Sequence, residues 1–191
     1  MKRALTLFIT ALILGACGAN QPIESSNTSS NTSSAANTAP SNPVKTVTIA
    51  NIIPYKKGAP IAQNIQLECT LNSQLSEFIQ SYGNEQNIAV TRAASVNPNS
   101  KGNVLLVNIV NAVSQGNAFL GHRKFTQVEG TLYENGKKVA AFTGARFSGG
   151  GFFGAYKGSC SVLGRTVQTL GKDIAQWLVH PVDGMHMGDG I

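Results

Sequence analysis

Charge is what this chain has least of. Asp, Glu, Lys and Arg make up only 13% of its 191 residues, against roughly 25% in an average soluble domain. That disfavours a charged helical bundle, and 20 glycines suit a β-rich extracytoplasmic domain better. Three cysteines without a Cys-x-x-Cys pair exclude a thioredoxin-type motif and the spacing of a structural zinc site. No Gly-x-Ser-x-Gly nucleophile elbow occurs. No apolar run reaches the ~20 residues that a membrane-spanning helix needs. Histidine is limited to His122, His180 and His186, and a carboxylate pair is signalled only by Glu129 and Glu134 on one predicted strand. The chain therefore reads as a non-enzyme.

What is present begins at the amino-terminus. Lys2 and Arg3 precede an apolar stretch, Ala4 to Leu14, and Leu14-Gly15-Ala16-Cys17 closes it. The stretch falls within the roughly 7–15 residues of a signal-peptide core. This combination resembles a bacterial lipoprotein signal, with residues 1–16 removed and Cys17 carrying lipid, palmitate included. An ordinary secretory signal with a chance cysteine is the alternative. Ala19 to Pro43 is a run of Ser, Asn, Thr and Ala in which Glu24 is the only charge. So little apolar surface does not offset the entropy of folding, and residues 17–43 are expected to form a disordered tether. Its random-coil end-to-end distance is ~28 Å, enough to hold a domain at 44–191 clear of lipid headgroups.

Without Lys2 and Arg3 the chain keeps 15 − 2 = 13 basic residues against 9 acidic ones, a net charge of +4. This permits anionic envelope partners, but the basic residues are scattered and leave no nucleic-acid footprint. With Cys17 used by lipid, Cys69 and Cys160 remain as a disulfide pair for an oxidising compartment. Two free buried thiols are the alternative.

Val44 to Ile53 is rich in β-branched residues and reads as a strand stopped by Pro54. Cys69 to Tyr82 sets Leu71, Leu75, Phe78, Ile79 and Tyr82 on one helical face, with Gly83 as C-cap. Asn87 to Ala93 and Asn103 to Val113 are strands, the second central. Lys124 to Glu134 and Lys137 to Phe147 flank Asn135-Gly136, the strongest short hairpin signal. Ser161 to Leu178 is a helix with Leu163, Val167, Leu170, Ile174, Trp177 and Leu178 on one stripe. The class is α+β: a mostly antiparallel sheet with two helices on one face, in the order β-α-β-β-β-β-α. After residue 181 a flexible tail is expected.

The GNA, GHRK, NGK and GGFFGAYKGSC…LGKDIAQWL pieces between Gly116 and Leu178 resemble an uncharacterised family of bacterial envelope lipoproteins. The element order looks more loosely like outer-membrane α/β lipoproteins. These include the curli-secretion pore subunit, the activators of penicillin-binding proteins, and the amino-terminal domain of the Tol translocation protein. The latter likeness implies a fold and no activity.

Three candidate sites follow. The glycine-rich stretch Ser148 to Gly158 lacks a phosphate-loop ending. Its Phe152, Phe153 and Tyr156, with Lys157, would make a partner surface if exposed. His180, Asp183, Met185, His186, Met187 and Asp189 carry metal-donor chemistry, with His180 and His186 the candidate ligands. No spacing fixes a geometry there, so no resident cofactor is expected. His122, Arg123 and Lys124 read as a polar patch at a strand edge.

The resulting expectation is a lipid-anchored, periplasm-facing protein that binds or supports another envelope protein or a glycan. Gly18 in place of Asp after Cys17 favours the outer membrane in the enteric sorting scheme. The alternatives are an extracytoplasmic enzyme acting on envelope glycans and a metal-binding lipoprotein using the tail. Cys17→Ser is expected to abolish fatty-acid labelling and to release the protein from membranes. A variant that still fractionates with the outer membrane overturns the anchor.

Overall fold

The β-branched run after residue 44 opens the fold as β1 (Thr46–Ala50), with Val47 and Ile49 buried. In the computed structural model, which describes residues 45–117, 121–149 and 158–190, two helices follow. They are α1 (Gln63–Glu68) and α2 (Leu71–Glu85). Next come β2 (Ala89–Ala93), β3 (Asn103–Asn117), β4 (Gly121–Glu134) and β5 (Lys137–Ser148). Then α3 (Ser159–Val179) leads to β6 (Met185–Gly188). All described residues fall in one compact unit. None of their helices is long and apolar enough to cross a membrane.

The six strands form one sheet in the order β2-β1-β3-β4-β5-β6. The long β3–β4 and β4–β5 ladders are antiparallel. At the β4–β5 turn, Asn135 and Gly136 both take positive φ, 49° and 85°, as a tight hairpin requires. The β1–β2, β1–β3 and β5–β6 pairs are parallel, so the sheet is mixed. For two of these pairs the cause is connectivity: helices join β1 to β2 and β5 to β6, and such crossovers return the chain in the same direction.

Helix α3 packs on β3, β4 and β5 and against α2. Leu163, Val167, Leu170, Ile174, Trp177 and Leu178, the stripe read from the sequence, are all buried. The two helices approach closely because Gly171 has no side chain. A Cβ there would lie 2.5 Å from Phe78 Cβ, inside contact distance.

Two elements depart from expectation. Helix α1 is new, a short turn that buries Ile65. The flexible tail after 181 is instead ordered as β6, which caps the open edge of β5. Trp177 Nε1 donates to the Val182 carbonyl at 3.0 Å. The Asp183 carboxylate accepts the Ala141 N–H at 2.7 Å, and the Asp189 N–H donates to the Ala145 carbonyl at 2.8 Å. Gly83, expected to end α2, lies within it, against Val90 of β2.

Cys69, at the end of α1, is joined to Cys160, in the first turn of α3, by a disulfide with Cα atoms 5.1 Å apart. It spans 91 positions, so replacing both cysteines with Ala is expected to cost ~4–5 kcal/mol through unfolded-chain entropy. Urea denaturation measures the loss. Both thiols reacting with alkylating agent in the absence of reductant would contradict the bridge.

Candidate functional site

The site is built where β4 begins and β5 ends. Strand alternation turns Lys124, Thr126, Val128, Gly130 and Leu132 inward, and all five are buried. Phe125, Gln127, Glu129, Thr131 and Tyr133 face the other side. Phe125 pairs with Phe147 across the ladder, with ring centroids 4.5 Å apart. Phe147 is 52% exposed. Beside it lies an open groove of about 220 Å³ lined by Arg123, Lys124, Phe147, Ser148 and Gly149.

Lys124 itself is fully buried. Its Nζ donates to Ser114 Oγ at 2.7 Å and to the Gln115 carbonyl at 3.2 Å. Among the described residues no carboxylate pairs with it, and burial pushes its pKa below the ordinary lysine value. The sequence expectation of a polar patch at a strand edge is therefore corrected for Lys124, while Arg123 is exposed. β4 lies between β3 and β5, and the inward turn of Lys124 removes it from the surface. One turn into the core, the Thr126 and Thr166 hydroxyls bond to each other at 2.6 Å, tying β4 to α3.

An ion-pair cluster that the sequence reading missed lies further along β5. Arg146 grips Asp173 of α3 in two contacts, Nε to Oδ2 at 2.8 Å and Nη2 to Oδ1 at 2.9 Å. Its Nη1 reaches Asp189 Oδ1 at 3.1 Å, beyond β6. The hydrogen bond to Asp173 is the main cause holding the guanidinium pKa above its usual value. The available signal was parity: Arg146 is four residues from inward-facing Phe142, and an inward arginine needs a carboxylate.

The other sequence candidates are dispersed. Glu129 and Glu134, five apart, fall on opposite faces of β4, and Glu129 is paired with Lys56 at 2.9 Å. His186 Nδ1 hydrogen-bonds Thr143 Oγ1 at 2.7 Å on the face away from the helices. His180 caps the end of α3. Among the described residues no three His, Cys, Asp or Glu side chains gather as a metal site. Cys17, Phe152, Phe153, Tyr156 and Lys157 lie outside the described residues, as does any side-chain statement for His122. The flanks of 150–157 are placed: Ser148 pairs with Lys124, and Gly158 caps α3. A wider groove of about 680 Å³ lies past the ends of β1 and β2, where Arg92 is paired with Glu77 at 3.5 Å.

No family model matches the chain. No curated protein matches it significantly in sequence. Among solved structures, a minor lipoprotein from Acinetobacter baumannii is similar at 9% identity and a TM-score of 0.43, covering 76% of this chain and all of that one. PelC, crystallised as a dodecamer from Paraburkholderia phytofirmans, is similar at 16% identity and a TM-score of 0.44. That match covers 69% of this chain and 92% of PelC.

Lys124 gives a pH test. Its folded pKa lies below the unfolded value near ~10.4, so between the two the unfolded chain binds more protons. Folding then carries a charge-burial cost that is full below the folded pKa and fades as pH rises through it. Lys124→Met is expected to gain stability relative to the parent near neutral pH and to lose that gain as pH rises toward ~10. Thermal unfolding across this range measures the difference. A gain that grows with pH contradicts the burial of the ammonium.

Proposed function

We propose that this chain is a lipid-anchored bacterial envelope protein, held at the periplasmic face of the outer membrane. Its α+β domain binds or supports another envelope component, protein or glycan, without catalysis. The anchor rests on Cys17 and its preceding apolar run, and the tether on residues 17–43. The observation that carries the binding reading is the half-exposed Phe147 ring, backed by Phe125 and next to Arg123. Rigid aromatics flanked by arginine are the residue types that anchor interfaces. The two rings sit on sheet strands, so such a contact would order few side chains on binding.

The tilted ring contact between Phe147 and Phe125 is worth ~0.5–1.5 kcal/mol, far less than the ~3–5 kcal/mol lost when a buried ring is truncated. Phe147→Ser is therefore expected to leave thermal stability nearly intact. It is also expected to weaken in-cell crosslinking of an envelope component to a photoreactive residue placed at Arg123. Undiminished crosslinking in the variant, or a stability loss of core size, rejects this surface.

A further inference from the structure

The last two turns of α3 and strand β6 enclose a groove of about 280 Å³. Asp173, Gln176, Trp177 and His180 line it from α3, Met185 and Met187 from β6. Positions 173, 176, 177 and 180 follow i, i+3, i+4, i+7 and so share one helix stripe. Met185 and Met187 are two apart and share one side of β6, in register with inward-facing Phe142 and Gly144. His186 between them turns to the opposite face and is taken by Thr143.

The donors left in the groove are specific in kind. Both Asp173 oxygens are occupied by Arg146, so no free carboxylate serves a hard divalent ion. The His180 imidazole is exposed and makes no hydrogen bond or ion pair among the described residues. That leaves two thioethers and one imidazole, with no free carboxylate. Paired thioethers select a soft monovalent ion over hard magnesium or calcium, and zinc, whose sites draw on imidazole, thiolate and carboxylate, gains little from them. Trp177 adds a fixed aromatic ring: it is 4% exposed, its indole N–H is held by Val182, and Phe142 packs edge-on against it. An indole lining a cation site contributes cation–π attraction.

We propose that His180, Met185 and Met187, with Trp177 alongside, form a binding site for a soft monovalent metal ion, Cu(I), for which Ag(I) is the redox-inert equivalent. The site goes beyond the binding role above, since it lies on β6 and not at the Phe147 end of β5. It involves binding only, with no change of oxidation state.

The composition makes the test direct. Trp177 is the single tryptophan, so its fluorescence reports on the groove alone. The full chain carrying Cys17→Ser leaves no free thiol to compete, because Cys69 and Cys160 are bridged. One equivalent of Ag(I) is expected to quench Trp177 emission and to shift the methyl resonances of Met185 and Met187. An equal concentration of Zn(II) is expected to do neither. Met185→Leu with Met187→Leu conserves shape and is expected to lower Ag(I) affinity by about 100-fold or more, since even outer-shell partners change metal affinity ~10–100-fold. His180→Ala, at an exposed helix end where folding is not at stake, is expected to weaken binding as well. His186→Ala is expected to leave it unchanged. Absence of quenching at equimolar Ag(I), quenching that survives both the double leucine variant and His180→Ala, or an equal response to Zn(II) would each overturn the site.

Discussion

Burial of the α3 stripe against β3, β4 and β5 is the interaction on which the rest of the structure depends. Each large side chain in it, Leu163 through Leu178, removes apolar surface worth ~1.5–3 kcal/mol from water. Among the described residues it packs against α2, β3, β4, β5 and β6. Its first turn carries Cys160 to Cys69. Its middle supplies Thr166 to Thr126 and Gly171 to the α2 contact. Its last turns supply Asp173 to Arg146 and the Trp177 indole to the Val182 carbonyl, which starts the return toward β6. Loosening α3 would therefore reach the disulfide, the sheet and the terminal strand together.

The same packing makes the sheet two-sided. One face is covered by α3 with α2 beside it, and the strands crossing beneath α3 keep to alternation, polar intruders included. Lys124 and Arg146 are both turned inward by position, yet their solutions differ. Arg146 meets carboxylates from α3 and from beyond β6, and its charge is retained. Among the described residues Lys124 meets only a hydroxyl and a carbonyl, and its charge is disfavoured. A buried cation without a carboxylate costs stability, so what Lys124 adds is register. Its pairing with Ser114 locks β3 to β4 near the end of β3 and the start of β4, beside the exposed Phe147.

How much of this was legible in the sequence follows from where the information sits. The β4–β5 hairpin was readable because Asn135-Gly136 satisfies a backbone demand that few dipeptides meet. The α3 stripe was readable because six large apolar residues repeat with helical period. The Cys69–Cys160 bridge was readable from compartment and count. α1 and β6 were not: the six residues of α1 include good helix formers but are too few for a helical period to show, and β6 is short and without β propensity. Met185–Gly188 holds two methionines, a histidine and a glycine, with no β-branched residue. It becomes a strand only because Asp183, Asp189 and Trp177 place it against β5, and those contacts span up to 44 positions. Arg146 was hidden for the same reason: parity flagged an inward charge but could not say which of the 9 acidic residues answers it.

This dependence shows how the carboxy-terminal donors acquire order. In the sequence, His180, Asp183, Met185, His186, Met187 and Asp189 form one mixed cluster. Strand geometry sorts them. The two aspartates go to ends of the strand, where they accept backbone N–H groups and fix its position. His186 goes to the outer face, and the two methionines go to the inner one. Once β6 pairs with β5, alternation separates His186 from Met185 and Met187, while the two aspartates, which share the methionines' parity, are held at the strand's ends by backbone N–H groups and Arg146. The chemical selectivity of the α3–β6 groove is thus a consequence of strand register, and the register is held by Asp189 through Arg146 and Asp173 to α3.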